Sequence, residues 1–157
     1  MALGYAERGV RAVSLRFSPT VHGAGDHGFV ATLVEVARRT GVAGYVGDGA
    51  NRWSAVHVAD AGRLIRLALE GARAGTAVHV VAEEGIATRV IAEAIGRGVG
   101  LPTRAVAPED AAAHFGWIGR FFGMDLPATS TATRQSLGWT PTGPTLLEDL
   151  DAGHCTR

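Results

Sequence analysis

Apolar residues crowd positions 10 to 17, where Val10, Ala12, Val13, Leu15 and Phe17 leave too few polar places for a strand with one wet face. That density predicts a strand covered on both sides, as in a parallel sheet. The segment before it ends in Gly9, a favourable left-handed stop, so residues 1 to 8 read as the end of a helix. After a glycine-rich loop, Phe29, Val30, Leu33, Val34 and Ala37 follow a helical stripe, with Arg38 and Arg39 in the last turn and Gly41 as the stop. Short strands are expected near Tyr45-Val46 and Ala55 to Val58, on either side of a Gly47-Asp48-Gly49 turn. Asp60 is placed to cap a helix carrying Leu64, Ile65, Leu67, Ala68 and Leu69, and Thr76 to Val81 reads as a second buried parallel strand.

The texture changes from Glu83 onward. A helix at about 88 to 97, an extended piece at 103 to 106, a helix opened by Pro108-Glu109-Asp110 and an aromatic segment from Phe115 to Phe122 predict a smaller mixed unit. The expected organisation is therefore an incomplete sheet domain over 1–83 and a small α/β domain over 84–157. No internal repeat is visible, which excludes a solenoid.

With 157 residues, 46% hydrophobic and 19% charged, the chain has ordinary globular composition rather than that of a disordered segment. Zero formal net charge and scattered arginines exclude an electrostatic footprint for nucleic acid or an anionic membrane. No run of 18 apolar residues and no basic, apolar leader occurs, so no membrane span or secretory signal is expected. A single cysteine, Cys155, cannot form an intrachain disulfide, and a reducing cytoplasm is the expected setting. All 15 basic residues are arginine, and the chain holds no lysine.

Four ordered segments carry a resemblance: Gly9-Val-Arg-Ala-Val-Ser-Leu-Arg-Phe-Ser-Pro-Thr-Val-His-Gly23, Gly47-Asp-Gly through Val56-His-Val-Ala-Asp60, Val78-His-Val-Val-Ala-Glu-Glu-Gly85, and Leu137-Gly-Trp-Thr-Pro141. Together they resemble the C-terminal half of extended short-chain dehydrogenases, the NAD-dependent epimerase/dehydratase family, with the N-terminal half absent. The resemblance implies an α/β fold, the C-terminal part of a Rossmann-like doubly wound parallel sheet plus a small mixed α/β substrate domain. It implies NAD or NADP as cofactor, a small-molecule substrate, and a parent activity of oxidoreductase or epimerase on a hydroxy, keto or sugar-type compound. In the family the loop matching Pro19, Thr20, Val21 and His22 borders the nicotinamide. Asn51, Arg52 and Trp53 lie where members carry an arginine for a nucleotide-sugar phosphate, although Arg52 stands one residue further from His57 than in the usual spacing. A planar guanidinium suits phosphate because it donates two parallel hydrogen bonds.

The family's acid/base pair, Tyr-x-x-x-Lys on one helical face, has no counterpart, since Tyr5-Ala-Glu-Arg-Gly9 ends in glycine. No catalytic residue is assigned, and the chain alone is expected to be inactive. The alternative is a non-catalytic module, or a ligand or redox sensor, that completes its sheet with a separate N-terminal half or with a second copy. Gly23-Ala-Gly-Asp-His-Gly28 spells G-x-G-x-x-G, but five residues separate it from the strand, so it reads as a connecting loop rather than a phosphate cradle. Asp26 between His22 and His27 lacks a standard ligand spacing, and no metal is expected. His57 reads as a hydrogen-bonded strand histidine, and Phe115, Trp117, Phe121, Phe122 and Met124 read as core or as a lid over substrate.

Overall fold

A computed structural model describes residues 2–156. The fold is mixed α/β with mainly parallel pairing, the class expected from the apolar runs. Ser14–Phe17 (β1) pairs in parallel with Ala77–Val80 (β5), and Thr20–His22 (β2) pairs in parallel with Arg52–His57 (β4). Ala43–Val46 (β3) pairs in parallel with Thr103–Val106 (β7), while Glu83–Ala87 (β6) closes antiparallel onto β4. The parallel pairs are joined by crossovers, as parallel strands require. Phe29–Thr40 (α1) links β2 to β3, Val58–Gly71 (α2) links β4 to β5, and Thr88–Val99 (α3) links β6 to β7.

Residues 2–8 form a 3-10 helix that stops at Gly9, where φ is +79°. The strand expected over 10 to 17 is regular only over β1. Arg11 explains the difference, because its guanidinium donates to the carbonyls of Ala68, Leu69 and Ala72 and ties residues 10 to 13 to the end of α2. The carbonyls of the last turn lie at the negative end of the helix dipole, where a cation is favourable; that of Ala68 also accepts from the Ala72 N–H. Coverage on both faces is not realised over residues 10 to 17, since Phe17 in β1 is 48% exposed and Val10 before it 51%.

The helix after β4 begins three residues earlier than its capping signal predicts. His57, not Asp60, is the N-cap: its Nδ1 accepts from the Ala59 N–H at 3.2 Å. Asp60 sits inside the first turn, fully buried, where its carboxylate accepts from the N–H groups of Thr142 at 3.0 Å and Gly143 at 2.8 Å and pairs with Arg63. The Trp139 indole donates to the Asp60 carbonyl at 3.2 Å, which straps the Leu-Gly-Trp-Thr-Pro turn onto α2. A carboxylate drawn into three such donors serves tertiary contacts better than its own helix end.

Two apolar cores flank β4. Ala55 faces a core shared by α1, α3 and the segments Ala111–Phe115 (α4), Gly119–Phe122 (α5) and Leu146–Asp151 (α7). Val56 faces the other, shared by α2, β5 and Trp139, which follows Thr131–Leu137 (α6). Residues 30 to 46 thus pack with residues 86 to 155 in one core.

Candidate functional site

The segment matched to the nicotinamide wall is a loop only at Ser18 and Pro19, between β1 and β2; Thr20 to His22, expected as loop, form β2 itself because they pair with β4. Ser18 fixes it, donating to the Val80 carbonyl through both its N–H at 3.2 Å and its Oγ at 3.0 Å. Pro19 and Val21 are partly accessible, whereas Thr20 and His22 are each 1% exposed. Alternation explains this, because Thr20 and His22 share the face of β2 that packs into the fold. Neither Thr20 Oγ1 nor His22 Nε2 has a hydrogen-bond partner among the described residues.

Beyond His22 the chain turns through Gly23 to Gly28 around a cavity of about 380 Å³, which is lined by that loop together with Val21 and Val58. Gly23 is required there: at φ +150° a Cβ would lie 2.7 Å from Val58 Cγ1. Asp26 folds back to accept from the Gly28 N–H at 2.7 Å, and no arginine lines the cavity, whose basic side chains are the histidines His22 and His27. The G-x-G-x-x-G spelling is therefore a loop around a neutral-to-acidic hollow, a poor place for a pyrophosphate.

His22 belongs to a buried cluster centred on Asp149 of α7. The carboxylate accepts from His22 Nδ1 at 2.6 Å on one oxygen and from His154 Nδ1 at 3.0 Å on the other, and His57 Nε2 stands 3.7 Å away. Burial opposes ionisation of Asp149, but the hydrogen bonds from His154 and His22 outweigh it and hold its pKa below the ordinary 3.8. An ionised carboxylate only accepts, so both Nδ1 atoms carry protons. His57 uses its Nδ1 as an acceptor, which leaves its proton on Nε2, facing Asp149. One carboxylate thus joins the ends of β2 and β4 to the C-terminal helix and the turn after it.

Glu83 completes the surroundings, 3.8 Å from His22 Nε2, too long for a hydrogen bond. It accepts from the Leu146 N–H at 2.8 Å at the start of α7. Burial raises the Glu83 pKa above its ordinary 4.5, with the Leu146 hydrogen bond opposing. The folded state therefore holds this proton more readily, and stability falls as pH rises through the raised pKa. Glu83→Gln keeps an acceptor without the charge. It is expected to match or exceed the wild-type melting temperature at pH 7 and to flatten the profile between pH 7 and the ordinary value of 4.5. A steeper profile in the variant would contradict the assignment.

Asn51, Arg52 and Trp53 are brought to the strand beside the loop, since Thr20 pairs with Ala55. Each is already engaged. Asn51 donates to the carbonyls of Phe122 at 2.8 Å and Met124 at 3.0 Å and accepts from Thr88 Oγ1 at 2.7 Å. Trp53 is 1% exposed, its indole donating to the Phe121 carbonyl at 3.2 Å. Arg52 is exposed, but Asp125 grips its fork at 3.1 and 2.9 Å and also accepts its backbone N–H at 2.7 Å. The pairing holds the Asp125 carboxyl below its usual range. Arg52 borders a surface hollow of about 340 Å³ that also contains Glu84, so the hollow carries no surplus positive charge for a phosphate.

Phe115 and Phe122 are core residues, whereas Trp117 and Phe121 stay exposed with their rings 5.7 and 6.2 Å from that of Phe29, and Met124 is exposed too. Cys155 is buried, and burial pushes its thiol up to about 11, which makes it a poor nucleophile. No group of three His, Cys, Asp or Glu side chains among the described residues is arranged to hold a metal ion. No described helix is long and apolar enough to cross a membrane. Sequence reasoning missed Asp149, Glu83 and His154. The signal available was an acid at 149 on the same helical face as Leu146 and Leu150, an apolar stripe that a charge enters only with partners.

No family model matches the chain. It is 50% identical over 148 residues to the uncharacterized protein C2A9.02 of Schizosaccharomyces pombe, a match that covers 94% of this chain and 50% of that protein. The chain thus spans about half the length of such a relative. Among solved structures it resembles DesIV, the dTDP-glucose 4,6-dehydratase of Streptomyces venezuelae with NAD bound, at 23% identity and a TM-score of 0.73, over 98% of this chain and 46% of that one. The Thermus thermophilus UDP-glucose 4-epimerase in complex with NAD gives 21% identity and a TM-score of 0.70, over 98% of this chain and 49% of that one. At these identities the likeness is one of fold, and it extends over the whole described chain: a Rossmann-like α/β architecture of the kind found in NAD-dependent epimerases and dehydratases.

Proposed function

We propose that this chain is the C-terminal half of an NAD-dependent epimerase/dehydratase-type protein, with 1–83 ending the nucleotide-binding sheet and 84–157 forming the substrate side. The observation that carries the reading is the coincidence of the whole chain with about half of NAD-bound enzymes, together with the β1–β5 parallel pair that ends at the Pro19 to His22 segment. The cavity beside that segment fits the neutral end of the cofactor: it has no arginine for a pyrophosphate, and Val21 gives it an apolar side. When bound, NAD supplies hydride acceptance and return. Pro19 and Val21 would wall the nicotinamide, while buried Thr20 packs β2 into the fold and His22 holds it through the Asp149 cluster. Asn51 and Trp53 shape the substrate side from behind, and Arg52 contributes only as an ion pair with Asp125.

The parent reaction is an oxidation–reduction or epimerisation at a carbinol carbon of a small hydroxy, keto or sugar-type substrate. Proton transfer belongs to the other half, because the chain has no lysine. The test joins the unmatched half of the Schizosaccharomyces pombe relative in front of this chain and titrates NADH by fluorescence. Binding by the joined protein and none by the chain alone is expected. Absence of binding in a folded, monomeric joined protein would refute the reading. The second reading, a non-catalytic module that completes its sheet with a partner, is favoured by the open edge of β1, and turnover by the joined protein would exclude it.

A further inference from the structure

We infer that a recess over the methyl group of Ala55 is a binding site for a single buried water molecule, which joins Thr20, His22 and Glu83 and so ties β2 to β6 across β4. The inference stands on three strands and one helix of this chain and holds whether or not the chain binds a dinucleotide.

Sheet register puts the three polar groups on one face. Thr20 pairs with Ala55 and His22 with His57 across the β2–β4 ladder, and Ala55 pairs with Glu83 across the β4–β6 ladder. Residues opposite one another in a sheet carry their side chains on the same face, so Thr20, Ala55 and Glu83 form a row with His22 beside it. Ala55, fully buried, is the small residue at the middle of that row, and the longer side chains on either side of it border the space above its methyl group. Helix α7 closes the recess: its Leu146 N–H donates to Glu83 Oε2, and its Asp149 accepts from His22 Nδ1.

The polar atoms there lack what their chemistry requires. Thr20 Oγ1 and His22 Nε2 are buried with no partner among the described residues, and Glu83 Oε2 stands 3.8 Å from His22 Nε2. That gap is too long for a hydrogen bond and short enough for one water to reach both ends. Buried waters make about three hydrogen bonds, to polar groups that would otherwise go unpaired, and the recess offers that number. The exchangeable roles of the three groups select water over other occupants. A hydroxyl donates or accepts as it rotates, a carboxyl donates when protonated and accepts when ionised, and an imidazole nitrogen does either according to its proton. A small neutral molecule that both donates and accepts satisfies all three in each protonation state. An anion would face Asp149, and a metal ion would find one imidazole and one carboxyl group, too few ligands to hold it. The water anchors the inward face of β2 and leaves Val21, on the other face, to line the loop cavity.

The test is a crystal structure of the intact chain, combined with oxygen-17 magnetic relaxation dispersion of the solvent in its solution. Electron density for one water within hydrogen-bond distance of Thr20 Oγ1, His22 Nε2 and the Glu83 carboxyl is expected, and the dispersion should include that molecule as long-lived. Thr20→Val keeps the shape of the side chain and removes its hydroxyl, so both measurements are expected to lose this water. Where that variant fails to fold, Glu83→Met, which keeps the length of the side chain without its polar atoms, serves instead and is expected to lose it likewise. A wild-type recess without such density, whether empty or closed by a direct His22–Glu83 hydrogen bond, would overturn the inference. So would a dispersion amplitude that neither variant lowers.

Discussion

Asp149→Ala is expected to reduce the unfolding free energy by about 3–5 kcal/mol, because it removes one partner of a buried, charge-assisted cluster and leaves the others without an acceptor. His22 is fully buried and its Nδ1 proton has no other partner within reach, so the loss includes its desolvation as well as the hydrogen bond. The depressed pKa fixes the sign of the pH dependence. Stability from Asp149 is fully present above its unfolded value, near the ordinary 3.8, and disappears as pH falls through the lower folded value. Urea unfolding at pH 7 should therefore separate wild type from variant widely, and the gap should narrow as pH falls below the ordinary 3.8. A variant within about 1 kcal/mol of wild type at pH 7 would show that the cluster does not hold the C-terminal helix to the strand ends.

Trp53→Ala should cost about 3–5 kcal/mol, the range for emptying a buried tryptophan site. The ring meets Phe122 edge-on at 5.2 Å and Phe29 at 5.8 Å, and its indole N–H secures α5 through Phe121. Trp53→Phe keeps most of the aromatic packing while losing the donor, and is expected to lose less than half as much. Denaturant midpoints of the two variants, compared at unchanged slope, measure this. Equal loss in both would assign the effect to the hydrogen bond rather than to packing. A small loss in Trp53→Ala would mean that the residue faces a ligand space, as its place in the family motif implies, rather than the core.

What the sequence determined by itself was local. The stripe over Phe29 to Ala37 became α1, and Gly41 ended it in the left-handed conformation because only glycine adopts φ +74° there without strain. The dense apolar run at Thr76 to Val81 became β5, half-buried along its length, a signal that depends only on neighbours along the chain, whereas Thr20 to His22, expected as loop, became β2 because β4 pairs with it. The capping of α2 was misjudged because contacts from Thr142 and Gly143, more than 80 residues away in sequence, drew the Asp60 carboxylate inward and left the cap to His57.

The site itself was decided by tertiary structure. Arg52 looked free for a phosphate until Asp125, 73 residues on, occupied its fork. His22 looked like a loop side chain facing a cofactor until Asp149, 127 residues on, turned it into a buried strut. Pattern along a chain reveals which positions are apolar and where elements stop, because burial of a helix or strand repeats with a fixed period. A polar side chain has no such period: its role depends on which donors and acceptors the fold carries to it, and those pairings, unlike the elements, exist only once the distant segments have met.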